Sequence, residues 1–255
     1  MPVREWDGAS YDRISGTMEA LGLAVLERLE LRGDETVLDA GCGSGRITQA
    51  LIERLPRGRV IAVDESPSMI AAARERLGPE ADLRVGDLLE LELEQPVDAI
   101  LSTATFHWIA DHERLFARLR AALAPGGRLL AQCGGEGNID ILRGQANEVL
   151  AHEPYAQHFA DWHAPWNYAG PQITRERLLA AGFEEAECWL QPAPRQPEDP
   201  RAFLSTIVLG PHVQQLPEQL REQFMDDVLA RLGASSPEGE PVTVDYVRLN
   251  IDATA

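Results

Sequence analysis

The sequence contains no lysine: all 23 of its strongly basic residues are arginines, and 41 aspartates and glutamates outnumber them. The formal net charge of -18 would repel the phosphate backbone of a nucleic acid, so no nucleic-acid partner is expected. An anionic small molecule stays compatible with the sequence, because a pocket can carry a local charge opposite to that of the surface.

Cysteine is also scarce. The three cysteines, Cys42, Cys133 and Cys188, lie far apart, and the chain has no Cys-x-x-Cys pair or Cys/His cluster. The sequence therefore predicts neither a metal site nor a disulfide framework. The first ten residues lack the features of a secretory signal, and no apolar run approaches the ~18–20 residues of a membrane span. We expect a cytoplasmic protein without membrane association.

Short apolar strands alternate with amphipathic helices between residues 36 and 133. The patterns predict strands at 36–40, 59–64, 81–85, 97–104 and 128–133. Strands that are apolar along almost their whole length are typical of a parallel sheet covered by helices on both faces, which is an α/β fold. Ligands of such sheets bind at the carboxyl ends of the strands.

Other segments flank this alternation. A helix is expected at 16–31, a helix followed by a strand at 174–191, and a final strand at 242–251. Nothing indicates a second independent domain, so residues 1–255 are expected to form a single domain. Its expected parts are an N-terminal helical segment at 1–32, a cofactor-binding core at 34–135, and cap or substrate-side inserts at 138–172 and 199–232.

A glycine-rich turn joins the first strand to the next helix in the stretch VLDAGCGSGRIT, residues 37–48. Its glycine spacing is Gly-x-Gly-x-Gly. The nicotinamide and flavin fingerprint, Gly-x-Gly-x-x-Gly, would instead require a glycine at Arg46. A phosphate-binding Gly-Lys-Ser/Thr sequence is also missing. The turn is therefore not expected to hold a pyrophosphate.

Three acidic residues, Asp39, Asp64 and Asp87, lie at or just past successive predicted strand ends, about one βα unit apart. Carboxylates gathered at one sheet edge would repel a phosphate-rich ligand. They would accept hydrogen bonds from an ammonium, ribose hydroxyls and an exocyclic amine. S-adenosylmethionine carries these groups together with a sulfonium. The alternative interpretation is that the three acids only cap helices or turns.

Each acid has an expected partner on that ligand. Asp39 would accept from the methionyl ammonium, directly or through water, Asp64 from both ribose hydroxyls, and Asp87 from the adenine amine. Gly41 and Gly43 would let the backbone pass close to the ligand. The other candidates for cofactor binding are Tyr11, Glu65, Met69, Leu88 and Thr103.

These segments resemble the class I S-adenosylmethionine-dependent methyltransferases. The resemblance covers roughly residues 34–133 and is carried, in order, by LDAGCGSG, IAVDESPSMIAAAR, VGD, DAILSTATFHW and LAPGGRLLAQ. It implies a Rossmann-like sheet of seven mostly parallel strands with a final antiparallel strand, helices on both faces and a helical cap. It also implies methyl transfer to a small molecule.

Within that family, FHWIADHERLF, SPSMIAAAR and YDRIS are similar to the trans-aconitate methyltransferase group. Juvenile hormone acid and malonyl-carrier-protein methyltransferases have similar HW or QW pairs. All three groups methylate carboxylates, which implies a carboxylate acceptor. Relatives often carry glutamine where Met18 stands, and the trans-aconitate enzyme has arginine where Gly210 stands. These departures favour a monoacid, or a neutral phenol or alcohol, over a multiply charged acid such as aconitate.

His107 and Trp108 are the candidate catalytic residues, and the acceptor is expected between residues 105–108 and the cap at 138–172. A carboxylate is already ionised at pH 7, so it needs desolvation and alignment rather than a base. O- or C-methylation of a neutral hydroxylated molecule would need a general base, with His107 as the first candidate and His163 as the second. Structural packing of His107 at a helix end is the alternative.

Two other classes stay open. An NAD-dependent oxidoreductase is disfavoured by the glycine spacing and by Asp87. A non-catalytic cofactor binder, or an enzyme of the same fold with another chemistry, is also compatible with the sequence, because fold does not fix function. The sequence does not predict an oligomeric state.

Overall fold

The structure is a computed structural model that describes residues 16–235 and 241–255, with side chains for residues 19–233 and 241–255. Its first helix, α1, spans Gly16–Glu27 and is shorter than the helix predicted at 16–31. Tyr11 lies outside the described residues, and so does the side chain of Met18.

The described chain alternates strands and helices in the predicted order. The strands are β1 (Thr36–Ala40), β2 (Arg59–Asp64), β3 (Asp82–Val85), β4 (Val97–Thr103), β5 (Leu123–Gly134), β6 (Glu185–Pro192) and β7 (Val247–Thr254). The further helices are α2 (Arg46–Glu53), α3 (Pro67–Leu77), α4 (His112–Ala122), α5 (Asp140–Leu150), α6 (Pro171–Ala180), α7 (Pro200–Phe203), α8 (Gly210–Gln215) and α9 (Glu218–Ser235). Single 3-10 turns occupy Leu88–Glu90, Phe106–Trp108 and Ala156–His158, and a π-helix occupies Leu204–Val208.

The seven strands form one sheet in the order β3-β2-β1-β4-β5-β7-β6. Neighbouring strands from β3 to β5 pair in parallel, and β7 pairs antiparallel with β5. This arrangement confirms the predicted class I sheet. The strand order reverses between β1 and β4, which is the switch point where α/β sheets bind ligands.

Alternation along the strands sends apolar side chains to both faces of the sheet. On one face, Val37 packs in a buried cluster with Leu51 of α2. On the other face, the next residue, Leu38, packs in a cluster with Phe116 of α4 and Leu178 of α6. Because both faces are apolar, both need covering helices, as the strand pattern predicted.

The residues at both ends of α3 account for its boundaries. Ser66 is the N-cap, and its Oγ accepts a hydrogen bond from the Met69 N–H at 3.3 Å. Pro67 follows in the first turn, where its missing N–H costs nothing. Gly78 ends the helix with a φ of 83°, and its N–H donates to the Arg74 carbonyl.

Two predicted strand boundaries were wrong. The last strand is Val247–Thr254 rather than 242–251, because its ladder with β5 starts at the pair Arg248 and Gly134. Val244 makes an isolated bridge with Arg195 instead. The fifth strand already begins at Leu123 because Leu123 pairs with Val97 before a register shift in the β4–β5 ladder.

The described chain divides into two compact units. The first contains the described residues up to Glu136, Asn167–Gln191 and Arg248–Ala255, and it holds the sheet. The second contains Gly137–Trp166 and the described part of Pro192–Val247. The predicted single domain and its insert boundaries stay predictions.

Hydrogen bonds made by side chains connect distant segments of the second unit. The Asp245 carboxylate accepts from the N–H groups of Ile141 and Leu142 in the first turn of α5, at 2.8 and 3.3 Å. The Tyr155 hydroxyl donates to Asp227 of α9 at 2.6 Å. Within the described residues, neither unit contains a helix with the length and apolar character needed to cross a membrane.

Candidate cofactor and active site

The glycine-rich turn between β1 and α2 is fixed to the neighbouring strand by its backbone. The N–H groups of Gly41 and Cys42 both donate to the Val63 carbonyl of β2, at 2.8 and 3.0 Å. Gly41 has a φ of 83°, and a Cβ built there would lie 2.2 Å from Thr105 Oγ1. Two independent reasons therefore exclude a side chain at this position: the positive φ, and the steric overlap with Thr105.

Gly43 is needed for a different reason. Its φ is 54°, and a Cβ placed on it would have no neighbouring atom within 4 Å. That Cβ would stand in open space at a cavity that Gly43 lines. The absence of a side chain leaves the backbone of the turn bare toward whatever occupies the cavity.

This cavity lies in the first unit, at the carboxyl ends of β1 to β4. It is lined by Gly41, Gly43, Asp64, Glu65, Ser66, Met69, Gly86, Asp87, Leu88, Thr103, Ala104, Thr105, Trp108 and Ile109. The structure thus brings eight of the ten predicted cofactor-binding residues to one site. Of the other two, Asp39 lies outside the lining and Tyr11 outside the described residues.

Asp64 and Asp87 place carboxylate oxygens in the wall of this cavity. Asp64 accepts from the N–H groups of Gly43 and Ser66, at 2.8 and 2.9 Å, and burial raises the pKa of its carboxyl. Asp87 accepts from the Leu89 N–H at 2.8 Å. A carboxylate has about four lone-pair sites, so both acids retain capacity for donors on a ligand.

Glu65 adds a third acid to the lining. Burial, and then the charges of Asp87 and Asp64, raise the pKa of its carboxyl. Like charges gathered in one cavity disfavour each other, and a cation with several hydrogen-bond donors relieves that repulsion. Buried Met69 and Leu88 supply apolar wall beside these acids.

Asp39 differs from Asp64 and Asp87 in its environment. Its side chain is 1% exposed, and its Oδ2 accepts from the Thr48 hydroxyl at 2.7 Å. Burial raises the pKa of this carboxyl to about 7. Among the described residues it stands outside the cavity lining. The expected contact with an ammonium, directly or through water, stays a prediction.

The segment after β4, residues 105–109, forms another wall. Trp108 lines the cavity, whereas His107 lies outside its lining within the described chain. His107 is 8% exposed, and its Nδ1 accepts from the Gly134 N–H at 3.3 Å. The His107 ring stacks on Tyr168, with 5.7 Å between ring centroids. His163, the second predicted base, is an exposed residue of the second unit.

Two residues that the sequence interpretation missed shape this wall. Ala104 has a φ of 57°, which is strained for a residue with a side chain and is typical of functional sites. Asn167 donates from its N–H to the His107 carbonyl at 2.8 Å and from Nδ2 to the Ala110 carbonyl at 3.0 Å. Asn167 is 60 residues from His107 in the chain, so no local pattern could indicate this contact.

Comparisons with known proteins bear on what this site binds. A family model described as a methyltransferase domain matches residues 37–127. The trans-aconitate 2-methyltransferase of Variovorax paradoxus is 30% identical over 96% of this chain and 94% of that protein. The protein of that name from Mycobacterium tuberculosis is 34% identical over 91% and 89%. The chain belongs to the S-adenosylmethionine-dependent methyltransferases.

Solved structures agree on the fold of this methyltransferase. The YcgJ protein of Bacillus subtilis superposes with a TM-score of 0.61 at 19% identity, over 92% of this chain and 97% of that one. A phosphoethanolamine N-methyltransferase of Haemonchus contortus, in complex with S-adenosylhomocysteine, also gives 0.61 at 19% identity. It covers 97% of this chain and 56% of that one.

The cofactor of this methyltransferase is S-adenosylmethionine, and the residues of the cavity fit it. The bare backbone at Gly43 permits close approach, and the acids suit a ligand that carries a positive charge and several donors. The enzyme transfers the methyl group of this cofactor to a small molecule.

Proposed function

We propose that the enzyme methylates a carboxylate oxygen of a small molecule. The observation that carries this proposal is the similarity to proteins named trans-aconitate 2-methyltransferase, which extends over nearly the whole of both chains. When bound, the cofactor supplies a methyl group on a positively charged sulfur. The described residues then have to hold both reactants and exclude water.

Cofactor binding is assigned to the acids and the turn. Asp64 would accept from the ribose hydroxyls and Asp87 from the adenine amine, while the backbone at Gly41 and Gly43 borders the ligand. The lining position of both acids and their remaining lone pairs support these roles. Glu65, Met69, Leu88 and Thr103 would complete the cofactor site.

The hydrogen bond at His107 supports a carboxylate acceptor over a hydroxyl. Because Nδ1 accepts from the Gly134 N–H, the proton of the neutral imidazole belongs on Nε2. In that tautomer Nε2 is a donor. A general base would need a lone pair on Nε2. The proton would then be on Nδ1, where it would face the N–H of Gly134, so that two donors would point at each other. The Nε2–H tautomer favours a donor role for His107 over a base role, and Trp108, which lines the cavity, is the other candidate contact for the acceptor.

A monocarboxylate is the favoured acceptor. By the resemblance described above, related enzymes carry glutamine where Met18 stands and arginine where Gly210 stands, and the loss of these polar groups favours an acceptor with one carboxylate over one with several. A carboxylate is fully ionised above about pH 6, so the transfer itself needs no base. The enzyme's contribution is desolvation and alignment of an anion that is already nucleophilic.

The test is a pH profile of single-turnover methyl transfer, with phenylacetate as monoacid, trans-aconitate as triacid and a phenol as neutral acceptor. For a carboxylate acceptor, His107→Ala should weaken acceptor binding and leave the rate of the bound complex nearly flat above about pH 6. If His107 is a general base, its removal should instead lower the rate of methyl transfer ~10²–10⁴-fold.

His107→Gln serves as the matched variant, since its amide retains a donor without a titrating group. Recovery of acceptor affinity by His107→Gln supports the donor role. Methylation of the phenol alone, with a rate that falls steeply in both variants, would overturn the carboxylate proposal. Unchanged kinetics in both His107→Ala and Trp108→Ala would show that neither side chain serves the acceptor.

A further inference from the structure

The second unit contains a cleft of its own, with a volume of about 530 Å³. Clefts of this size, between roughly 300 and 1,000 Å³, are typical of small-molecule sites. Its lining comes from α5, the segment that follows α5, and α8. The lining residues are Arg143, Asn147, Leu150, Ala151, Ala156, Phe159, Ala160, Trp162, His163, Ala164, Trp166 and His212.

The charge of this lining is opposite to that of the chain as a whole. Acids outnumber bases by 41 to 23 in the sequence, yet no aspartate or glutamate is among the described residues that line the cleft. Arg143 supplies a permanent positive charge there. A cationic lining in a strongly acidic protein is complementary to an anion.

One wall of the cleft is aromatic and contains an unsatisfied polar atom. The ring of His212 lies 4.7 Å from that of Trp162 and 5.5 Å from that of Trp166. His212 is 1% exposed, and its buried Nδ1 has no hydrogen-bond partner among the described residues. Burial, and then the charge of Arg143, lower the pKa of His212 to about 4. At neutral pH His212 is therefore an uncharged part of the wall.

Arg143 joins the charged and the aromatic parts of the cleft. Its guanidinium carbon lies 5.9 Å from the ring centroid of Trp166. Asp140, a largely exposed residue, lies 3.4 Å from Arg143 Nη1. A guanidinium has five donors in a planar fork, which can bind more than one acceptor at the same time.

We propose that this cleft binds a small aromatic monocarboxylate, with the carboxylate on Arg143 and the flat apolar part against Trp162 and Trp166. The single arginine matches one negative charge, and the aromatic wall matches a flat ring in size and chemistry. The proposal concerns binding alone and does not depend on which acceptor the enzyme methylates.

The experiment is calorimetric titration of the full chain with phenylacetate, followed in parallel by tryptophan fluorescence. The neutral isostere phenylacetamide tests the charge, and inorganic phosphate tests whether any anion suffices. Arg143→Gln should weaken phenylacetate binding about 10- to 100-fold, the usual value of hydrogen bonds between charged groups. Arg201→Gln is the matched control, because Arg201 is an arginine of the same unit that pairs with Glu222 outside the cleft.

Trp166→Ala is a second variant and should weaken the binding of phenylacetate several-fold. Thermal melting checks that each variant is folded. Weak binding of phenylacetamide and phosphate, together with the loss in Arg143→Gln, supports the proposal. Equal affinity for phenylacetate and phenylacetamide would overturn it, as would equal affinity in Arg143→Gln and Arg201→Gln or no heat and no quenching at millimolar phenylacetate.

Discussion

The cavity of the first unit and the cleft of the second are lined by opposite chemistry. The cavity presents Asp64, Glu65 and Asp87, which accept hydrogen bonds and favour a cation. The cleft presents Arg143 beside aromatic rings, with no acid among its described lining residues. A chain with a net charge of -18 thus provides one site that suits a positively charged cofactor and another that suits an anion. Local lining, not overall charge, decides what each site accepts.

The two sites also differ in what holds them. The cavity rests on backbone: Gly41 and Cys42 donate to the Val63 carbonyl, and Asp64 accepts from the N–H groups of Gly43 and Ser66. The cleft is formed mainly by large side chains on helices and the segment after α5. We therefore expect glycine substitutions to damage the cavity most, and side-chain truncations to damage the cleft most.

The largest effect is expected from Gly41→Ala. Its new Cβ would overlap Thr105 at a φ of 83°, whereas Gly78 has the same φ and open space around a Cβ. Gly78→Ala should therefore cost ~1–3 kcal/mol of stability from backbone strain alone, and Gly41→Ala ~1–3 kcal/mol more because overpacking is added. We expect Gly41→Ala to abolish measurable binding of S-adenosylhomocysteine. Urea unfolding and calorimetry measure both quantities, and equal behaviour of the two variants would contradict the backbone argument.

Asp64→Ala sharpens the contrast in charge between the two sites. Loss of the carboxylate would leave ligand hydroxyls without an acceptor and should cost ~2–4 kcal/mol of S-adenosylhomocysteine binding. Glu92→Gln is the control, because Glu92 is an acid whose side chain is 81% exposed and lies outside the cavity lining. Calorimetry that gives Asp64→Ala the affinity of Glu92→Gln would remove Asp64 from the cofactor site.

The first site could be predicted from the sequence because its parts follow local rules. Periodic apolar runs located the ends of β1 and β2, and side chains at neighbouring strand ends share one edge of a parallel sheet. Asp64 and Asp87 could therefore be grouped without a structure. The spacing of Gly41 and Gly43 further indicated a turn that approaches a ligand.

The cleft could not be predicted in this way. Arg143 lies on α5, Trp162 and Trp166 lie in the segment that follows it, and His212 lies on α8, so their proximity is a tertiary fact without a sequence period. The positive φ of Ala104 is similarly set by its surroundings, since its N–H donates to the Gln132 carbonyl of β5. Asp39 was grouped with the other acids because it is at a strand end, but its side chain is turned to Thr48.

A smaller, pH-dependent effect is expected at Asp39. Because burial raises the pKa of its carboxyl from 3.8 to about 7, the folded state binds a proton that the unfolded state releases over that range. Stability should therefore fall as the pH rises from about 4 to 7 and change little above it. Asp39→Asn should remove ~2–3 kcal/mol of the difference in unfolding free energy between pH 5 and pH 8.

Asp82→Asn is the control for this series. The hydrogen bond from Arg84 lowers the pKa of Asp82, so that residue stays ionised throughout pH 5–8 and its replacement should not change the slope. An unaltered slope in Asp39→Asn would show that Asp39 stays charged in the fold. If Asp39 receives the cofactor's ammonium, S-adenosylhomocysteine should also stabilise the wild type more at pH 8 than at pH 5.

The smallest effect is expected from Asn167→Ala, which tests whether the wall of the first cavity depends on a distant residue. The substitution removes the Nδ2 hydrogen bond to the Ala110 carbonyl and should cost ~1 kcal/mol of stability. Since residues 105–109 carry Trp108 into the cavity wall, kcat/KM for methyl transfer should fall several-fold while S-adenosylhomocysteine affinity stays close to wild type.

Asn167→Asp should lower kcat/KM further than Asn167→Ala, because its carboxylate would face carbonyl oxygens. Gln172→Ala removes an exposed amide that pairs with Glu176, and equal kinetics in Asn167→Ala and Gln172→Ala would show that the wall needs no such support.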